Sequence, residues 1–256
     1  MALAHIETIT SLQNNLLKSV RKALLKGSTT EEGLVVAEGF HLLEEARRSD
    51  CVIEAVITTE AALPKVEVKR NRTAVLPEAL FREISGTETP QGVIALVRMP
   101  KFDEPKVWSD KALVLALDAV QDPGNAGTCI RSAEAFGATG VVSLKGTVDF
   151  ANPKTVRSSS GSIFRMPLLR SDLSAVAGRG LPVYAAAANA KVSILDVDWR
   201  KPAILLVGSE AHGVSREAMR IATGLRIPTQ GVESLNAGIA ASIILYEAAR
   251  QRGFKG

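Results

Sequence analysis

Three short segments concentrate the polar residues that could do chemistry. The first reads Asp118-Ala-Val-Gln-Asp-Pro-Gly-Asn125-Ala-Gly-Thr128, with Arg131 shortly after it. Pro123-Gly124 predicts a tight turn, and Asn125 predicts the cap of the helix that follows. The second reads Gly208-Ser-Glu210-Ala-His-Gly213. Its glycines let the backbone turn sharply and approach a ligand, and Glu210 sets a carboxylate there. The third, Arg226-Ile-Pro228-Thr-Gln-Gly231-Val-Glu-Ser234-Leu-Asn236, runs into a long helix for which Ser234 and Asn236 are candidate caps. Taken singly, each segment also fits a structural loop. The dinucleotide fingerprint G-x-G-x-x-G is missing after the first run, which disfavours a Rossmann cofactor loop there.

The elements that must hold these groups are strands. Leu113–Leu117, Gly140–Leu144, Val183–Ala187 and Ala203–Val207 are continuous apolar runs, as a parallel sheet covered on both faces requires. Helical patterns over Ala126–Phe136, Leu173–Ala177, Ser215–Ala222 and Leu235–Gln251 alternate with them, which predicts an α/β domain. In the longest helix, Leu235, Ile239, Ile243, Tyr246 and Arg250 step down one face. Ligands of such sheets sit at the carboxyl ends of strands, where the first two segments lie.

The first hundred residues read as a smaller α/β unit. Leu12, Leu16, Leu17, Val20 and Leu24 recur at helical spacing, with strands expected at Leu34–Ala37, Val52–Thr58 and Gly92–Val97. Helices are expected at Gly39–Arg48 and Pro77–Glu83. Met99–Ser109, with two prolines and mixed charge, marks the boundary. The expected division is 1–100, a linker at 101–110, and 111–256.

Charge is mild overall, +4, but uneven: residues 1–106 carry net −1 and 107–256 net +5. Basic residues cluster at Lys18, Arg21, Lys22 and Lys26, and again at Lys145, Lys154, Arg157, Arg165 and Arg170. Aromatics are only 4%, which argues against a protein that binds nucleic acid mainly by stacking bases. Cys51 and Cys129 suggest neither a disulfide framework nor a zinc site, so no metal is expected. No signal peptide or membrane span is expected, and the expected location is the cytoplasm. His5, His41 and His212 are read as solvent or core residues. The serines at 158–160 and 162 are read as a loop facing phosphate, since no base accompanies them.

Together the segments VQDPGNAGTCIRSAEAFGA, LLVGSEAHGVS and IPTQGVESLNAGIAASIILYEA resemble, in order and spacing, the three signature motifs of the SpoU (TrmH-like) RNA ribose 2′-O-methyltransferases of the SPOUT superfamily. NPKTVRSSSGSIFRMPL extends the resemblance between motifs one and two. VVAEGFHLLEEARRS and ISGTETPQGVIALV resemble the family's extra N-terminal substrate-binding domain, so nearly the whole chain is covered. Departures are small: Cys129 and Ser132 stand where Ile and Thr are commoner, and Ala237-Gly238 replace a Val-Ser-like pair.

The resemblance implies a C-terminal parallel-sheet domain with a deep trefoil knot and a small α/β domain before it. It implies S-adenosylmethionine as methyl donor, contacted around Gly208, Ile227, Gly231 and Leu235, and a homodimer whose active site mixes both chains. The catalytic set carried over is Arg131, Asn125, Glu210, Ser234 and Asn236. A guanidinium is almost always charged, so Arg131 is expected to grip the neighbouring phosphate and steady the developing alkoxide rather than act as a base. Asn125 and Glu210 are expected to hold Arg131 and the loops, Ser234 and Asn236 the ribose or the donor's polar end. RNA contacts are expected from Lys18, Arg21 and Lys22, and from Lys154, Arg157 and Arg165. The N-terminal domain favours large-subunit ribosomal RNA as substrate. The alternatives are a tRNA ribose methyltransferase, an antibiotic-resistance ribosomal RNA methyltransferase, and a catalytically silent RNA-binding or assembly factor.

Overall fold

The computed structural model describes residues 6–68 and 71–254. The chain packs as two units, one of the described residues up to Lys101 with Asp149–Phe164, the other of Phe102–Val148 with the described residues from Arg165 onward.

The first unit contains β1 (Ile6–Thr8), α1 (Asn15–Lys26), β2 (Val35–Glu38), α2 (Phe40–Arg47), β3 (Val52–Thr59), β4 (Arg72–Leu76), α3 (Glu78–Arg82) and β5 (Val93–Arg98). Its sheet runs β1-β4-β3-β5-β2. The β1–β4 and β3–β4 pairs are parallel, whereas β5 is antiparallel to β2 and β3. Asn14 caps α1 by accepting from the Leu16 amide at 2.9 Å, and Gly27 ends it at φ 63°. Between them Leu17, Val20 and Ala23, three residues apart, turn one stripe into a core shared with Val36, Ile57, Phe81 and Leu96. Each large side chain so buried contributes about 1.5–3 kcal/mol.

The second unit begins with α4 (Glu104–Val107), inside the stretch expected to be linker. Val107 is fully buried there, so the segment is a packed part of the unit. Then come β6 (Leu113–Asp118), α5 (Pro123–Ala135) and β7 (Gly140–Ser143). Helix α6 (Pro153–Ser158) follows in sequence but packs with the first unit, against β2. After it run β8 (Leu168–Arg170), α7 (Leu173–Ala177), β9 (Val183–Ala186), β10 (Val192–Ser193), β11 (Ala203–Gly208), α8 (Arg216–Met219), β12 (Thr223–Arg226) and α9 (Ala237–Arg252). The sheet order is β10-β12-β9-β11-β6-β7-β8, and every pairing is parallel. Strands β6 and β11 are buried at every residue, which is why their sequences are apolar without alternation.

The expected domain bounds differ from the observed packing. The stretch expected as one domain over 111–256 is divided, because 149–164 packs into the first unit through Thr155 and Val156, both fully buried. The line of Leu235, Ile239, Ile243, Tyr246 and Arg250 along α9 lies largely on its open side, with Ile239 50% and Tyr246 49% exposed. The buried face is instead small, with Ala237, Gly238, Ala241 and Ala248 around Ile244 and Leu245.

The far end of α9 is stapled down by one side chain. Arg252 donates to the carbonyls of Trp199 at 2.6 Å, Lys111 at 2.8 Å, Ala112 at 3.1 Å and Lys201 at 2.8 Å. Burial lowers the pKa of this guanidinium from its usual value. Among the described residues, no helix is long and apolar enough to cross a membrane, and no group of three or more His, Cys, Asp or Glu could hold a metal.

Candidate active site

Strand β6 ends at Asp118, a buried carboxylate that accepts from the Ser215 amide at 2.7 Å and so ties the loop after β11 to this strand end. The next residue, Ala119, has φ 55°, a conformation that costs an L-residue about 1–2 kcal/mol. Asp122 then caps α5, accepting from the Asn125 amide at 2.8 Å, with Pro123 in the first turn. Asn125 is therefore not the cap expected of it. It lies inside the first turn, and its side chain is free for another task.

That task is to join the three segments. Asn125 Nδ2 donates to Glu210 Oε1, and Asn125 Oδ1 accepts from Asn236 Nδ2 at 3.0 Å. Asn236 does cap α9, its Oδ1 accepting from Gly238 at 2.9 Å and Ile239 at 3.2 Å. Helices α5 and α9 then run side by side in constant register. Gly238 lies against Thr128, Ser132 bonds Ser242 at 2.6 Å, and Phe136 meets Tyr246 edge-on at 5.7 Å. The small residues of α9 are what permit this approach: a Cβ on Gly238 would sit 3.1 Å from Thr128.

The loop after β11 folds back on itself. Ser209 and Gly213 form a β-bridge, with the Gly213 amide donating to the Ser209 carbonyl at 2.8 Å. A Cβ on Gly208 would lie 2.0 Å from Gly213 backbone atoms and 2.2 Å from the Val214 nitrogen, so only glycine fits.

Beside this loop opens a cavity of about 410 Å³, within the range of small-molecule sites. Gly208, Ile227 and Leu235, the residues expected around the methyl donor, line it, and so do Glu210 and Ser234. Gly231 is exposed and does not line it. His212, exposed as a solvent histidine was expected to be, also lines it, together with Ala186, Asn189, Thr229 and Glu233. The end of β9 thus contributes a wall, which the strand-end rule would have found if applied to Val183–Ala187 as well.

Arg131 stands apart. It is exposed on α5, does not line the cavity, and has no hydrogen bond or ion pair among the described residues. Asn125 and Glu210 bond to each other rather than to it. Cys129, two residues earlier, is fully buried, and burial, with the Glu210 carboxylate second, pushes its thiol up to about 12.

The expected RNA-contacting cations separate into groups. Lys18 and Arg21 are exposed on α1, whereas Lys22 pairs with Glu31. Lys154 and Arg157 lie on α6 in the first unit. Arg165 belongs to the second unit, bound to Glu134 at 2.5 and 3.1 Å. The run at 145–170 is thus divided between the two units. The serines at 158–160 do have a neighbouring imidazole, since His41 Nε2 lies 3.0 Å from Ser160 Oγ. His5 lies outside the described residues.

Comparison with known proteins agrees with this geometry. The SpoU rRNA Methylase family matches residues 112–246, and the MRM3-like substrate binding domain matches 14–95. The 23S rRNA (guanosine(2553)-2′-O)-methyltransferase RlmP of Bacillus subtilis is 34% identical, the match covering 94% of this chain and 98% of that protein. The AdoMet-bound rRNA methyltransferase of Sinorhizobium meliloti superposes with a TM-score of 0.81 at 29% identity, covering 96% of this chain and 98% of that one. The SpoU methyltransferase AviRb of Streptomyces viridochromogenes, in complex with AdoMet, gives 0.79 at 27% identity over 94% of this chain and 98% of its own. The chain belongs to the SpoU rRNA methylase family.

Proposed function

We propose that this protein is an S-adenosylmethionine-dependent methyltransferase acting on a ribose 2′-hydroxyl of large-subunit ribosomal RNA. The observation that carries the reading is the Glu210–Asn125–Asn236 chain of hydrogen bonds, which gathers three sequence-distant motifs beside one cavity.

The cavity fits the methyl donor. Its apolar part, with Ile227, Leu235 and Val207, suits an adenine ring, and Glu210, Glu233 and Ser234 offer partners for a cationic, polar end. When bound, S-adenosylmethionine supplies an electrophilic methyl group. The protein's part is geometry and charge. Asn125, bonded on both sides, fixes the loop after β11 relative to the start of α9, so the cavity wall is preorganised. Arg131 binds the phosphate beside the target ribose; that phosphate takes up the hydroxyl proton, and the guanidinium stabilises the alkoxide character that develops as the oxygen bonds to the methyl group and the carbon–sulfur bond breaks.

Because Arg131 lies away from the cavity of its own chain, we infer that it serves the cavity of a second copy. The exposed apolar side chains Ile239, Tyr246 and Phe254 on and just after α9 support a homodimer. The parallel sheet, threaded in the order given above, supports the knot. The first unit serves as the RNA-binding domain, and a ribosomal RNA substrate with unbridged Cys51 and Cys129 suits the cytoplasm.

Mapping 2′-O-methylation across total RNA, with and without the protein, tests the function: loss of one large-subunit site is expected, and an unchanged map refutes it. Arg131→Lys should hold RNA affinity within about threefold while single-turnover methyl transfer falls at least about a hundredfold. A near-native rate in that variant removes the role given to Arg131.

A further inference from the structure

Within the first unit one carboxylate is almost wholly enclosed. Glu38, at the end of β2, has a side chain only 4% exposed. A buried carboxylate is costly unless its lone pairs are met. Here they are met locally: the Ser85 hydroxyl donates to it, as do the Thr87 hydroxyl at 2.7 Å and the Gly86 amide at 2.9 Å. Glu38 thereby fixes the turn at residues 85–87.

A cation faces it without being consumed by it. Arg157 Nη1 lies 4.0 Å from Glu38 Oε2, too far for a hydrogen bond, and that nitrogen has no hydrogen-bond partner. Attraction in a low-dielectric setting holds the guanidinium in place, while a third of the Arg157 side chain remains exposed. Nη1 is held without a hydrogen bond, and the exposed third of the side chain is open to a ligand.

Helix α6, which carries Arg157, is itself locked to the unit at both ends. Asn152 packs over Gly27, where a Cβ would lie 2.6 Å from its Nδ2, and Ser160 bonds His41. The glycine between Glu38 and Arg157 completes the arrangement: a Cβ on Gly86 would lie 3.4 Å from both charged groups and 3.7 Å from Leu24 of α1. Arg21 is one turn before Leu24 on that helix, with Lys18 a turn earlier, both exposed. Helices α1 and α6, some 130 residues apart in sequence, therefore both border Gly86, and each carries exposed or part-exposed cations.

We propose that Glu38 is a positioning residue for substrate RNA: it holds Arg157 and the 85–87 turn so that Arg157 meets a phosphate of the RNA strand engaged by Lys18 and Arg21. The proposal rests on the reading of this protein as an RNA methyltransferase. Arg157 is the phosphate contact, Glu38 acts through it, and Arg165, bound to Glu134 in the other unit, takes no part.

The test uses the full-length protein and transcribed large-subunit ribosomal RNA. Glu38→Gln preserves shape and removes the charge opposite Arg157. RNA Kd and RNA KM should rise about tenfold, and the slope of log affinity against log salt should fall by about one. The kcat at saturating RNA and the S-adenosylmethionine Kd should stay within about twofold. Glu38→Asp, which keeps the charge, should recover most of the RNA affinity. Arg157→Ala should cost about tenfold in the native background and nothing further beside Glu38→Gln. A lowered Tm with native RNA affinity and salt slope would make Glu38 merely structural and overturn the proposal, and so would an Arg157→Ala loss equal in both backgrounds. Should Glu38→Gln not fold, Arg157→Gln leaves all three donors to Glu38 in place, and an unchanged salt slope there overturns the proposal. RNA binding is read without methyl transfer. An inactive native protein that still shows these shifts would refute the methyltransferase reading and leave this one standing.

Discussion

Replacing Gly208 with alanine puts the site under a perturbation whose size can be read from distances. The new Cβ would sit 2.0 Å from the carbonyl carbon and oxygen of Gly213, where ordinary contact begins at 3.4 Å. The obstructing atoms are backbone, so no side-chain rotation relieves the clash. The 209–213 loop must move outward by about 1.4 Å, the difference between those two distances. That shift breaks the Ser209–Gly213 bridge and its 2.8 Å hydrogen bond, and it carries Glu210 away from Asn125. Overpacking of this kind costs about 1–3 kcal/mol. In a chain of this size that lowers Tm by about 2–12 °C, at roughly 2–4 °C per kcal/mol. If about 1.4 kcal/mol of it falls on the bound state, S-adenosylmethionine binds about tenfold more weakly. Isothermal titration with the methyl donor and a thermal melt read both quantities. Gly231→Ala is the control. Gly231 has φ +75° but nothing within 4 Å of a built Cβ, and it lies outside the cavity lining. Its substitution should cost stability through backbone strain and leave donor affinity within about twofold. Native donor affinity and native Tm in Gly208→Ala would refute the steric argument.

Asn125→Ala removes the shared partner of Glu210 and Asn236, so methyl transfer should fall about 10–100-fold with a smaller change in Tm, read by incorporation of labelled methyl groups into RNA. An activity within twofold of native would show that the chain of hydrogen bonds does not organise the site. Cys129, with its thiol pushed up to about 12 against an ordinary 9.0, should resist alkylation at pH 8 until denaturant is added. Because the unfolded chain releases this proton from about pH 9 while the folded chain retains it, stability should decline by one extra proton per molecule between pH 9 and about 12. Denaturant titrations of the native protein and Cys129→Ala across that window measure the difference, and parallel curves would refute it.

Local signals made much of this architecture legible. The runs around Leu113–Leu117 and Ala203–Val207 became the two central strands, since burial on both faces leaves its mark in composition. The recurrence of Leu16, Leu17, Val20 and Leu24 likewise announced α1. Short edge strands did not announce themselves: β1, β8 and β10 have three residues or fewer, too few to establish a period. Long-range choices were invisible as well. Nothing near Asn152 in sequence says that it will pack on Gly27, so the assignment of 149–164 to the first unit could not be read. At the site, the motifs were legible but the bonding between them was not. The amide of Asn125 could have capped a helix. That Asp122 takes that duty, leaving Asn125 to bridge Glu210 and Asn236, depends on side-chain placement.

The pairing of α5 with α9, closed by Arg252 on the carbonyls of Lys111 and Ala112, bears on how the chain is made. Strand β6 and helix α5 leave the ribosome roughly a hundred residues before α9 does. At about 5–20 residues per second, they wait on the order of 5–20 s with the faces meant for α9 still open to water. During that interval the side of α5 that carries Thr128, Ser132 and Phe136 is bait for aggregation or a client for a chaperone. An enzyme that modifies ribosomes would then be most at risk while still attached to one.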